Sequence, residues 1–531
     1  MSRTSVAPAT YRVASIGAIT DQMATQRSIA HGVFLLASNA PMSPRLFASS
    51  ATSKQGQCAL SRSATSVETA HSPHQLTASQ TLRPRFQGDS PASAFGYTPR
   101  MYHARESASG THGRPSAMTH LRARVASVAF ACVALVAAAT PFVHAQRALG
   151  PPARYLFAWV GDEDRQDSDF LAVVDLAHHG DRYGTIVASA PVGEKGLWPH
   201  HTEHELGPSG MLFANGFAGN RNFLFDLRDA LHPAVIERFN GAGDLNFIHS
   251  FARLSNGHVL ATFQGHGLDN VSPGGIAELD ERGHLVRSRS TADPLADQST
   301  LRPYSLAVVP TLDRIVVALT VMAIPTWHPL RPSMEHDHTG NQIQVYRLSD
   351  LSLVKTVRLP SDDGPNEPRV LGDGHTVLVN TGACRLYQVT GLDGIDPSVK
   401  MVYASPQPGC AMPIVVGDYW IQASRSDPRV FSLDVHDLAH VRQVSSVSFD
   451  ERQRPHWLAS DGTRVVVVNE PGPTVERRMW MLTFDAAMGT LTLDRGFRDA
   501  ESDRPGVAFD RALWPHGTTG TGVPHGTVFG W

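Results

Sequence analysis

Eight consecutive residues, Trp198-Pro-His-His-Thr-Glu-His-Glu205, hold three imidazoles and two carboxylates. A neutral imidazole is a ligand for copper, zinc, iron or nickel. A carboxylate beside it can orient the ring or carry a proton. Other histidines recur in the same local setting. Asn246-Phe-Ile-His249 leads to Asn256-Gly257, Arg454-Pro-His456 leads to Asp461-Gly462, and Trp514-Pro-His516 and Pro524-His525 come near the end. Most of these openings are followed by a short apolar run, a Gly/Asp turn and a second apolar run. Competing chemistry is not signalled: there is no G-x-S-x-G elbow, no CxxC and no dinucleotide fingerprint opening a helix.

The elements that must position these histidines are strands. No long stripe of period 3.6 appears after residue 150, and Gly and Pro are spread throughout, so the chain reads as nearly all β. Gly210, Gly257, Asp313, Gly374, Gly417 and Gly462 each mark a turn between a first and a second strand, at intervals from the low forties to about sixty residues. Such a repeat is the sequence sign of a propeller, with four strands per blade. Third strands follow in phase, as in Phe223-Leu-Phe-Asp226, Ile343-Gln-Val-Tyr346 and Trp480-Met-Leu-Thr-Phe-Asp485. Six blades are complete. Residues 155–189 supply three strands with no inner strand ahead of them, and residues 513–531 supply a Pro-His opening. The expected fold is therefore an all-β, seven-bladed β-propeller over 153–531, closed by N- and C-terminal strands sharing one blade. Six blades with a C-terminal cap is the alternative.

Inner strands line a propeller's channel, so residues that open them converge from blades far apart in sequence. The openings are His200/His201, His249, Pro303-Tyr304, Glu367-Pro-Arg369, Cys410-Ala-Met412, His456, and His516 with His525. His200, His201, His249, His456, His516 and His525 are the expected metal ligands, and Glu203 and Glu367 the expected acid–base groups. On this pattern the ion stays open among copper, zinc, iron and nickel, and added thiol or thioether would favour copper. His178, His179 and His232 fall in outer turns, where no role is expected. Residues 322–341, with Trp327, His328, Met334, His336 and His338, form the longest interruption and read as a lid.

A net charge of −3 gives no electrostatic case for nucleic acid, so the expected partner is a small-molecule substrate. Residues 1–117 are rich in Ser, Ala, Thr, Arg and Pro and read as a disordered or mis-assigned N-terminal extension. Residues 118–145 read as a signal peptide: basic Met118-Thr-His-Leu-Arg-Ala-Arg124, apolar Val125 to Ala139, and Val143-His144-Ala145 at the cleavage position. The apolar run is shorter than the roughly 20 residues of a membrane span. A true start at Met118 and a periplasmic or secreted mature protein, with no stable span after cleavage, are expected. Cys384 and Cys410 remain; Cys410 is either half of a disulfide or a ligand at its strand opening.

From about 155 to 531 the chain resembles the selenium-binding protein family, which includes the methanethiol oxidases. The resemblance lies in Asp169-Phe-Leu-Ala-Val-Val-Asp175, Tyr183-Gly-Thr-Ile and His200-His201, then Phe247-Ile-His249 through Leu254-Ser-Asn-Gly257 and Pro273-Gly-Gly275, Glu367-Pro-Arg369, the loop before Gln342-Ile-Gln-Val-Tyr346, and Trp514-Pro-His516. It implies a seven-bladed propeller and, for the oxidase members, copper-dependent oxidation of methanethiol to sulfide, formaldehyde and hydrogen peroxide. It carries a histidine to His200/His201, His249 and His516, whereas His456 rests on repeat phase. Thr202 to Phe213 lacks the Cys pair of eukaryotic members, and Ala252 stands where the family has a second His. The expected function is thus a metal-dependent, copper-preferring oxidase of a small thiol or related sulfur compound. The alternatives are a non-catalytic propeller that binds a ligand or partner at its His-rich mouth, and a calcium-dependent lactonase-like hydrolase. Histidine-rich openings weigh against calcium, which takes oxygen ligands.

Overall fold

The computed structural model describes residues 152–177, 182–267, 271–322, 340–361 and 364–531. The extension 1–117, the signal peptide 118–145, His178, His179 and residues 323–339 of the expected lid lie outside the described residues. The chain enters blade I with β1 (Tyr155–Asp162), β2 (Phe170–Asp175) and β3 (Ile186–Pro191). Blade II is β4 (Pro199–Thr202), β5 (Met211–Gly216), β6 (Arg221–Asp226) and β7 (Ala234–Phe239). Blade III is β8 (Leu245–Arg253), β9 (Val259–His266), β10 (Gly275–Leu279) and β11 (Leu285–Ser290), and blade IV is β12 (Pro303–Val309), β13 (Arg314–Leu319), β14 (Gln342–Arg347) and β15 (Leu353–Arg358). Blade V is β16 (Pro365–Val370), β17 (Val377–Thr381), β18 (Arg385–Thr390) and β19 (Ser398–Ala404), and blade VI is β20 (Cys410–Val416), β21 (Tyr419–Ser424), β22 (Arg429–Asp434) and β23 (Arg442–Ser448). Blade VII is β24 (Pro455–Ser460), β25 (Arg464–Asn469), β26 (Arg478–Asp485) and β27 (Thr490–Leu493), with β28 (Val507–Ala508) added to β26. Finally β29 (Asp510–Arg511) leads to β30 (Gly520–Gly530), which returns to β1 and becomes the inner strand of blade I. The seven blades and the shared closing blade are as the repeat phase predicts.

Burial along each blade explains the local sequence. Second strands are sealed on both faces, so they read as unbroken apolar runs such as Arg314-Ile-Val-Val-Ala-Leu319 and Arg464-Val-Val-Val-Val-Asn469. Fourth strands sit at the rim and are the more exposed, as in Leu285-Val-Arg-Ser-Arg-Ser290, and Ala234-Val-Ile-Glu-Arg-Phe239 alternates exposed with half-buried residues. Core clusters lie between neighbouring blades: Leu260 and Ile276 of blade III pack with Ile315 and Val317 of blade IV. The turns from first to second strand need a left-handed residue. Gly210, Gly257, Gly374, Gly417 and Gly462 supply it, and Asp313 takes the same conformation at φ +56°.

Every inner strand carries an extra residue opposite its partner, at the strand opening in blades II and IV to VII and a few residues inside the strand in blades I and III. The register shifts between Pro199 and Thr202, Ile248 and Phe251, Pro303 and Ser305, Pro365 and Pro368, Cys410 and Pro413, and Pro455 and Trp457. In blade I it falls between Ala158 and Val160, opposite Thr527 and Pro524. A β-bulge re-aims a side chain, and proline is tolerated in a strand only at an edge or a bulge. The recurrent proline is thus a sign of the bulge. The bulges put His200/His201, His249, Tyr304, Glu367, Met412, His456 and His525 at equivalent places around the channel.

Cys384 and Cys410 form a disulfide between blades V and VI, 26 residues apart in sequence. Cys410 is therefore not a ligand. Closing a loop of that length in the unfolded chain stabilises the fold by about 3.5 kcal/mol. Cys384→Ser is expected to lower the denaturant midpoint accordingly, and an unchanged midpoint would show that the bridge does not form.

A candidate metal centre in the channel

The bulges free backbone groups that a regular ladder would have paired, and buried polar residues of the second strands take them up. Asn215 of β5 accepts from the His201 amide at 2.6 Å and donates to the Ile248 carbonyl at 2.5 Å. Thr262 of β9 accepts from the Ser250 amide and donates to the Tyr304 carbonyl. Asn380 of β17 accepts from the Glu367 amide and donates to the Ala411 carbonyl. Each of these residues fastens one bulge to the next, so the openings are held at fixed relative positions.

Five imidazoles meet there. His200 and His201 come from blade II, His249 from blade III, His456 from blade VII and His525 from blade I, four consecutive blades. Each is at most 5% exposed. His200 stacks on His201 with ring centres 4.1 Å apart, and His525 lies 4.3 Å from His200 and 4.8 Å from His456. The Nε2 atoms of His200 and His249 are 3.2 Å apart. Potential ligand atoms of His200, His201 and His249 lie within 4.8 Å of one another, as do those of His201, His456 and His525.

Backbone carbonyls orient two of the rings. His249 Nδ1 bonds the Tyr304 carbonyl and His525 Nδ1 bonds the His200 carbonyl, both at 2.7 Å, which turns each Nε2 into the cluster. His201 Nδ1 lies 3.3 Å from the Ser250 hydroxyl. His200 Nδ1, His201 Nε2 and both nitrogens of His456 are buried with no hydrogen-bond partner among the described residues. Unpaired buried nitrogen is costly, and a metal ion bound by such nitrogens would offset that cost. The donor set fits an ion that accepts neutral nitrogen. Trp198, Phe217 and Phe247 pack together beside the cluster, and Phe217 stands 5.7 Å from His200 and 5.8 Å from His249.

Burial keeps these rings neutral. His200, His201 and His456 are held well below the usual histidine range, first by loss of water and then by their neighbours' charges. His249 is pushed down to about 3 and His525 to about 4 for the same leading reason. In the unfolded chain such rings protonate near 6.5. The unfolded state therefore binds more protons below that pH, and stability falls as pH drops from about 6.5 toward 4, by up to roughly 1.4 kcal/mol per pH unit for each ring. The metal-free protein should show a denaturant midpoint that changes little above pH 7 and declines through this window. A flat midpoint down to pH 4 would contradict neutral buried rings.

Two expected residues are placed elsewhere. His516 precedes the inner strand. A turn in which Gly517 bonds back to Trp514 separates it from β30, and its ring contacts Ser189 and Thr518. His525 takes the place expected for it. Glu203 is buried, but its carboxylate is bonded by Arg253 at 2.6 and 2.8 Å and by the Phe213 amide, so it braces blade II against blade III. Burial raises its carboxyl against the pull of Arg253. Glu367 does face the interior: Ser305 and Arg369 hold Oε2, while Oε1 has no partner among the described residues. Burial raises its carboxyl too. His232 lies in an exposed turn paired with Asp229, the outer-turn place expected for it.

His204 is a channel residue that repeat phase did not single out. It stacks on Trp457 at 4.6 Å and its Nε2 accepts from Arg369 at 3.0 Å. The signal was present in its place four residues after His200, but only a strand opening marks a converging position.

No protein-family model and no curated protein sequence matches the chain. Among solved structures it is similar to a hypothetical selenium-binding protein from Sulfolobus tokodaii, with 16% identity, a TM-score of 0.57, and coverage of 71% of this chain and 94% of that one. A periplasmic gluconolactonase from Pseudomonas aeruginosa is similar at 13% identity and a TM-score of 0.47, covering 64% of this chain and 95% of that one. The relationship shown is a distant one between propellers.

Proposed function

We propose that the channel centre binds copper and that the protein is a copper-dependent oxidase of a small thiol or related sulfur compound. The observation that carries this reading is the meeting of buried, neutral imidazoles with partnerless nitrogens on neighbouring inner strands. His200, His201 and His249 would hold the ion, with His525 beside them. Bound copper supplies redox chemistry between a thiol sulfur and dioxygen. The remaining work falls to the protein. Trp198, Phe217 and Phe247 offer an aromatic surface suited to sulfur and a small alkyl group. Glu367, with Oε1 free and its carboxyl raised by burial, is suited to take the thiol proton. Tyr304 is close to both groups: its ring lies 3.9 Å from His249, and its hydroxyl is kept protonated by burial first and then by the charge of Glu367.

For methanethiol the balanced reaction takes one dioxygen and one water and gives formaldehyde, sulfide and hydrogen peroxide. The test is oxygen uptake and sulfide release by copper-loaded protein given methanethiol. Glu367→Gln should lower the rate by about 10²–10⁴ while copper content stays the same. The near-complete burial of the five rings favours a second reading, in which the ion ties four blades together without turnover. Copper retained with no oxygen uptake on any small thiol would select it.

A further inference from the structure

The cluster holds more imidazoles than one ion uses. A copper or zinc ion in a protein site of this kind takes about four ligands, and five rings are present. Their donor atoms form two sets, His200, His201 and His249, and His201, His456 and His525, sharing His201. His456 is the residue the first set leaves unexplained. It is buried, it comes from the bulge of β24, and neither of its nitrogens has a hydrogen-bond partner among the described residues. In His249 and His525 one nitrogen is spent on a carbonyl that fixes the ring; His456 has no such anchor. A buried ring with two unpaired nitrogens forfeits about 1–3 kcal/mol for each unless something binds it. His525 is turned toward it by the His200 carbonyl, with ring centres 4.8 Å apart.

We propose that His456 and His525, with His201 between the two sets, form a second metal position beside the first, so that the centre is dinuclear. This rests on the reading that the cluster binds metal at all. Nitrogens bound to one tetrahedral ion stand about 3.4 Å apart, given bonds of about 2.0–2.1 Å. The donor atoms of the second set, within 4.8 Å of one another, need ring shifts of the order of an ångström to reach that.

The experiment is a zinc titration of the metal-free full chain by equilibrium dialysis, with the copper(II)-loaded protein followed by electron paramagnetic resonance. The wild-type chain should bind two zinc ions, and His456→Ala and His249→Ala one each. The wild-type copper spectrum should show coupling between two ions, including a half-field signal, and His456→Ala the spectrum of an isolated ion. Should His456→Ala not fold, His456→Gln removes the imidazole and keeps the volume, with the same expected loss of one ion. One zinc per chain in both wild type and the His456 variants overturns the second position and leaves the proposed copper site standing. No zinc in the wild-type chain overturns both.

Discussion

His201→Ala is expected to lower metal affinity by at least two orders of magnitude while the protein stays folded. His201 is the ring common to both sets of donor atoms, and its Nε2 has no other partner among the described residues. Binding free energies of about 10–16 kcal/mol spread over four ligands give roughly 3 kcal/mol for each. The fold should survive, because every blade keeps its own apolar layers and the substitution removes an unpaired buried nitrogen as well as packing. His232→Ala is the control, since that ring is exposed in an outer turn. His516→Ala should also retain metal, because its ring is engaged by Ser189 and Thr518 outside the cluster. Competition titration against a chelator of known affinity measures all three. Equal affinity in His201→Ala and wild type would mean that metal binds elsewhere.

Deleting residues 510–531 is expected to prevent folding to a monomer. The deletion removes β30, which pairs with β1 from Tyr155 opposite Gly530 to Asp162 opposite Gly522. It also removes Val528 and Phe529 from the cores on either side of blade I. Burial of those two side chains alone contributes about 5 kcal/mol, comparable with the whole stability of many domains, about 5–15 kcal/mol. The exposed edge of β1 would then invite association with other chains. Light scattering and thermal melting test this. A truncated protein that remained monomeric and melted with the full-length chain would contradict closure by the C-terminal strand.

The fold was legible because a propeller repeats its instructions. Six turn residues in phase, five of them glycine and one Asp313, located the first and second strands of six blades. The candidate site was legible in part for the same reason. Repeat phase put His200, His201 and His456 at strand openings, and the bulges found there aim their side chains. His516 misled because it too follows a proline, yet a turn intervenes before the strand begins at Gly520. The same Pro-His sign sits nine residues later, at Pro524-His525, inside the strand. Glu203 misled because proximity in sequence to His201 says nothing of the side on which a strand residue emerges; Arg253, fifty residues away, takes it. The latches Asn215, Thr262 and Asn380 were not legible at all. Each looks like an ordinary polar residue within an apolar strand, and its purpose depends on a carbonyl in the next blade.

X-ray absorption of the copper-loaded full chain, after dialysis to remove loosely held ion, tests the central claim most directly, since it reports retention and ligand type together. The buried imidazole centre predicts retained copper surrounded by nitrogen at about 2.0 Å, with the outer scattering of at least three imidazole rings and no thiolate sulfur, because both described cysteines are joined to each other. Copper lost on dialysis, or retained copper bound by oxygen or sulfur without imidazole scattering, would contradict it.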